Sequence, residues 1–197
     1  PLTPSDLKGK RVGVRAYTQT TGLWVRGILQ EQFGVPSNEV TWVTTEAPHV
    51  AEYSCPPNVE LMEGANLADM VRSGELAAVI MGSKQGGPPG LERLVPDVDG
   101  AIMQWYKKHH AVPINHMVVV SEKADPVAVK EIYGLLCKGL ELAYPPSDRK
   151  EPFALRCGIE NVWSAVELSM RYSLEQGLTS RMFEVGEVFD RMFHVQL

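Results

Sequence analysis

Residues 10–29, KRVGVRAYTQTTGLWVRGIL, read as a buried strand, a threonine-rich turn and the start of a helix. Residues 11–15 carry the alternating valines of a short strand, residues 17–21 are dense in hydroxyl and amide side chains, and Leu23, Trp24, Ile28 and Leu29 recur at roughly helical spacing. The helix is expected to begin near Thr20. Its first N–H groups lack intrahelical partners and lie at the positive end of the helix dipole, so such a junction can hold a carboxylate or a phosphate. Thr18, Thr20 and Thr21 add hydroxyl donors there, and Arg15 adds a charge. The plainer alternative leaves Thr20 or Thr21 as an N-cap and Arg15 as a solvated strand end.

The 197 residues, 44% hydrophobic and 22% charged, can bury a core and suit one domain or two small lobes. A net charge of −5 with no lysine–arginine run argues against nucleic-acid binding by phosphate neutralisation and against a polybasic membrane contact. No apolar run approaches the roughly 20 residues of a membrane span. Any anion must therefore be bound locally. Cys55, Cys137 and Cys157 are odd in number and lack CxxC spacing, which suits reduced structural thiols in a cytoplasmic protein better than a disulfide frame or a zinc site.

Outward from the junction, Gly34 stops the helix and residues 40–44 form a second strand, completing a βαβ unit. Residues 45–58, TEAPHVAEYSCPPN, leave the carboxyl end of that strand as a long loop carrying Glu46, His49, Glu52 and Tyr53. In open parallel sheets ligands bind at that edge. A short strand at 59–62, a helix capped by Asn66 and ended by Gly74, and a strand at 77–81 follow. Residues 82–90, GSKQGGPPG, make a third loop on the same edge, in which Lys84 and Gln85 either reach a ligand or belong to a plain connection. No G-K-[ST] occurs, so a phosphate-binding P-loop is excluded. Asp97 or Asp99 caps a helix through Lys108, and His109 and His110 just beyond it suit a helix C-terminus better than a metal.

Residues 113–121, PINHMVVVS, are expected as a strand buried on both faces, with His116 inside it. His116 is then a satisfied core histidine, or it faces a cleft if the strand crosses between lobes. Two amphipathic helices follow. One aligns Val129, Ile132, Leu136, Leu140 and Ala143, and the other aligns Ile159, Val162, Trp163, Val166, Met170 and Leu174 with Glu167 and Arg171 paired outside. A last short helix is expected over 184–192.

DLKGKRVGV at residues 6–14, the threonine turn, and SGELAAVIMG at 73–82 together resemble the second lobe of a type II periplasmic-binding-protein fold. Within that superfamily, RAYTQTTGLWVRGIL, EAPHVAEYSCPPNVE, PINHMVVV and GIENVWSAVELSMRYSLEQGL resemble the 4,5-dihydroxyphthalate decarboxylase family, over nearly the whole chain. The resemblance implies an α/β chain with a mainly parallel sheet lobe over 1–112, carrying the anion-binding turn. Residues 113–197 would supply the returning strand and helices of a second, partial lobe. In that family a long segment normally precedes the DLKGK stretch, so a fragment or an abbreviated first lobe is expected. The apolar surface left open would be covered by another chain, for which a homo-oligomer is one arrangement.

The implied reaction is loss of one carboxyl group from 4,5-dihydroxyphthalate to give 3,4-dihydroxybenzoate and CO2, in phthalate-type aromatic degradation, with no cofactor. The partner is a small aromatic carboxylate, held by Arg15, Thr18, Thr20, Thr21 and Lys84. Each carboxyl has a hydroxyl para to it, so general acid–base chemistry at the ring suffices. His49 and Glu52, three apart and sharing a face if their loop has a helical turn, and His116 are the candidate proton carriers. The competing function is a solute-binding protein or effector-binding domain that holds an organic acid without reacting.

Overall fold

The computed structural model describes residues 2–82, 87–145 and 158–189. The chain divides into two compact units, Pro1–Trp105 with Ser169–Met182, and Tyr106–Leu168 with Phe183–Leu197.

In the first unit, strand β1 (Arg11–Val14) leads through the threonine turn into helix α1 (Thr20–Phe33). Strands β2 (Thr41–Thr44) and β3 (Val59–Leu61), helix α2 (Leu67–Arg72) and strand β4 (Ala78–Ile80) follow. All strand pairs are parallel, in the order β3-β2-β1-β4, with Val12 opposite Trp42 on one side and Ala78 on the other. The alternation of β1 fixes its two faces. Val12 and Val14 join Leu29, Val35 and Trp42 in a core on one side of the sheet, while Val43 packs with Leu67, Met70 and Leu76 on the other. Covering on both faces is what a parallel sheet requires, and each buried valine contributes roughly 1.5–3 kcal/mol. Order 3-2-1-4 places a topological switch point between β1 and β4, where consecutive connections leave to opposite sides and open a crevice at the carboxyl edge.

The stops and caps behave as their residue types dictate. Asn66 accepts from the N–H groups of Ala68 and Asp69 at the start of α2. Gly34 takes a left-handed conformation (φ 64°) after α1, its N–H bonding to Gln30 while that of Val35 bonds to Leu29. The start of α1 differs from the N-cap alternative. Gln19, not Thr20 or Thr21, occupies the cap position, and no side chain caps the helix.

Helix α3 (Val98–His109) opens with Asp97 accepting from the N–H of Gly100. Helix α5 (Trp163–Glu175) ends against α1, where the buried Tyr172 ring lies over Gly27 and meets Trp24 edge-on at 5.9 Å. Any Cβ at Gly27 would intrude on that ring, so the helices approach this closely only because the position is glycine. Arg171 pairs with Glu31 of α1 at 2.6 Å rather than with Glu167, which accepts from Trp163.

The second unit corrects one expectation. Residues 113–121 form no strand among the described residues, and Val118, Val119 and Val120 are 67%, 81% and 55% exposed. A valine run becomes a buried strand only beside neighbouring strands, and all four strands of the described residues lie in the first unit. Helix α4 (Pro126–Ala143) buries no residue despite its apolar stripe. Helix α6 (Val185–Phe189) is the short helix expected near the end; its proposed continuation to residue 192 lies outside the described residues. No helix among the described residues is long and apolar enough to cross a membrane.

Candidate functional site

A cleft of about 650 Å³ opens at the carboxyl edge of the sheet. Arg15 beyond β1, Thr45 beyond β2, Ile80 to Gly82 at the end of β4, Gln19 at the start of α1 and Asn66 at the start of α2 line it. It thus sits at the switch point that the strand order creates.

The backbone sets the loops beside it. Arg15 C=O accepts from the N–H groups of Thr45 (3.0 Å) and Glu46 (2.9 Å), which ties the loop after β1 to the loop after β2. The N–H of His49 donates to Thr18 Oγ1 at 3.4 Å. Thr18 and His49 therefore share one edge, as the βαβ reading requires. On the side-chain level, a single oxygen of Glu46 faces both Arg15 Nε (3.6 Å) and His49 Nε2 (3.7 Å). All three side chains are about half exposed, so the pairs contribute at most about 1 kcal/mol and can rearrange around a ligand. Thr20 and Thr21 occupy the first two positions of α1, whose leading N–H groups have no side-chain cap; of the candidate residues Arg15 lines the cleft, with Gln19 at the helix start, while Thr18, Thr20, Thr21 and His49 are not among its lining.

Of the other candidate residues, Glu52 is exposed and lies within a turn closed by the N–H of Tyr53 on Val50 C=O. The carboxylate that faces His49 Nε2 is that of Glu46, at 3.7 Å. His116 is exposed in the extended segment of the second unit. Lys84 lies outside the described residues. Glu46 was visible as a loop residue three before His49, yet its place between His49 and Arg15 depends on Arg15, 31 residues away, folding back beside it.

Arg26 was passed over in the sequence. It is 1% exposed inside α1, with its guanidinium 4.1 Å from the Tyr17 ring centroid and 5.5 Å from that of Trp42. Nε donates to Gln176 Oε1 and Nη2 to Tyr17 C=O, both at 2.7 Å. Burial pulls its pKa down to about 10. Tyr53, donating to Gly177 C=O, is pushed up to about 12, and the Cys55 thiol is pushed up as well, each chiefly by burial. Among the described residues no group of three His, Cys, Asp or Glu side chains is placed to hold a metal.

Fold and site together define an α/β protein with a cleft at the carboxyl edge of a parallel sheet. The chain is 33% identical to a 4,5-dihydroxyphthalate decarboxylase of Comamonas testosteroni over 130 residues, 60% of this chain and 39% of that protein. It is 36% identical to a 4,5-dihydroxyphthalate decarboxylase of Pseudomonas putida over 116 residues, 52% of this chain and 45% of that protein. These similarities bear out the resemblance read from the sequence, over a stretch that spans less than half of either relative. No family model matches the chain.

Proposed function

We propose that this chain is part of a carboxy-lyase of the type II periplasmic-binding-protein fold that converts 4,5-dihydroxyphthalate to 3,4-dihydroxybenzoate and CO2. The observation that carries the proposal is the meeting of Arg15, Glu46 and His49 beside the uncapped start of α1, in a chain similar to two decarboxylases of that name. One substrate carboxylate takes hydrogen bonds from the first turn of α1 and from the hydroxyls of Thr18, Thr20 and Thr21, with Arg15 swinging from Glu46 to pair with it. Lys84 is a further proposed contact.

Loss of the phenol proton para to the departing carboxylate moves electron density onto the ring carbon that bears it. A general acid protonates that carbon, the bond to the carboxylate breaks, and its electron pair restores the aromatic ring as CO2 leaves. His49, with Glu46 as its charged neighbour and Glu52 in the same loop, is the proposed proton carrier, and His116 is the alternative. The test is product analysis after incubating the full-length protein with 4,5-dihydroxyphthalate. Formation of 3,4-dihydroxybenzoate with equimolar CO2 is expected; tight binding without product would identify a solute-binding protein instead.

A further inference from the structure

Arg26 is a fully buried cation whose described partners are all neutral: two carbonyl oxygens and two aromatic rings. No carboxylate among the described residues pairs with it, and its Nη1 is buried with no hydrogen-bond partner. Buried arginines are almost always paired, because an uncompensated charge in a low-dielectric interior is costly. The location of this one is specific. Nη2 holds the carbonyl of Tyr17, the residue entering the threonine turn, and Nη1 stands 2.8 Å from where a Cβ on Gly22 would be, at the third position of α1. The guanidinium therefore lies against the uncapped first turn of α1, at whose start the carboxylate site is proposed.

We propose that Arg26 is a positioning and specificity residue, a fixed positive charge whose counter-ion is the carboxylate of the ligand bound at the start of α1. This rests on the small-anion site proposed above and extends it. The charge acts through the helix turn rather than by touching the ligand. At about 7 Å and an intermediate effective dielectric, such a charge is worth roughly 10- to 100-fold in affinity for an anion and almost nothing for a neutral ring. Unlike exposed Arg15, a buried charge is little screened by salt.

The test is calorimetric titration of the full-length protein with phthalate, which has the carboxylates but no reactive phenol, and with catechol, which has the phenols but no charge. Arg26→Met should weaken phthalate about 10- to 100-fold and leave catechol within about twofold, whereas Arg26→Lys should retain most phthalate affinity. Gln176→Glu keeps Arg26 and gives it an internal carboxylate at the Nε contact, at the cost of the amide's donation to Leu23 C=O; it should weaken phthalate as Arg26→Met does and leave catechol within about twofold. Wild-type phthalate affinity in Gln176→Glu and Arg26→Met, or equal loss of phthalate and catechol, overturns the proposal. If the wild-type protein binds no phthalate yet forms 3,4-dihydroxybenzoate from 4,5-dihydroxyphthalate, this inference falls and the decarboxylase reading stands. Phthalate binding that depends on Arg26, without turnover of 4,5-dihydroxyphthalate, upholds Arg26 and removes only the reaction.

Discussion

Gly27→Ala tests the packing that joins the end of α5 to α1. A Cβ at Gly27 would stand 2.7 Å from Cγ of Tyr172 and closer still to two other ring carbons, where ordinary contacts need 3.4–4 Å. The ring has little room to retreat. It is 0% exposed, is met edge-on by Trp24, and its hydroxyl accepts from Trp105 Nε1 at 3.4 Å. Overpacking of a tight core costs about 1–3 kcal/mol, while replacing a helical glycine by alanine returns roughly 0.5–1 kcal/mol, so a net loss of about 1–2 kcal/mol is expected. With a urea slope of about 2 kcal/mol/M, the midpoint should fall by roughly 0.5–1 M in a denaturation monitored by tryptophan fluorescence, to which Trp24 and Trp105 both report. Gly134→Ala in α4 is the control: a Cβ there meets nothing within 4 Å, so only the helix gain of roughly 0.5–1 kcal/mol remains. An unchanged or raised midpoint for Gly27→Ala would show that the close approach of Tyr172 is not what demands glycine.

Four further outcomes follow from the site. Arg15→Gln should weaken phthalate only about three- to tenfold, because its side chain is 56% exposed and solvent already screens it; a larger effect in calorimetry would mean that the cleft closes over it. Glu46→Gln should strengthen phthalate binding severalfold by freeing Arg15, with stability changed by less than about 0.5 kcal/mol in denaturation. His49→Ala should lower turnover with little change in substrate affinity, with His116→Ala as the comparison, and wild-type turnover in both variants would leave the reaction without its acid. Burial raises the folded pKa of Tyr53 from 10.0 to about 12, so the folded state holds that proton more tightly and stability is lost as pH climbs from about 10 towards 12. Tyr53→Phe should flatten part of that alkaline decline in denaturation midpoints taken between pH 9 and 11.

The elements of the first unit were legible because each is specified locally. Alternating valines made β1, Asn66 and Gly34 are residues whose conformational preferences set helix ends, and parallel connection forced the loops after β1 and β2 to one edge. That logic alone brought Thr18 and His49 together across 31 positions. It failed at residues 113–121 because a strand is completed by its neighbours, and a run of valines carries no information about whether neighbours are present. The same limit applies to α4, whose stripe correctly marks one helix and one apolar face but not a surface that covers it.

The site was legible where it depends on loop order and obscure where it depends on charge balance. Glu46 was in view, but only the Arg15 carbonyl gathering the N–H groups of Thr45 and Glu46 turns that carboxylate towards both Arg15 and His49. Arg26 leaves a sharper trace in the sequence. It lies three residues after Leu23 and three before Leu29, both buried, so helical spacing puts a permanent charge on the face that α1 presents to the core. Helical spacing cannot say what neutralises that charge. The residue that contacts its Nε, Gln176, is 150 positions away, and its amide accepts from Arg26 through Oε1 while donating to Leu23 C=O through Nε2. A neutral partner at that position keeps the positive charge of Arg26 uncompensated in the described structure, which is why a change as small as Gln176→Glu is expected to separate a structural arginine from one kept charged for a ligand.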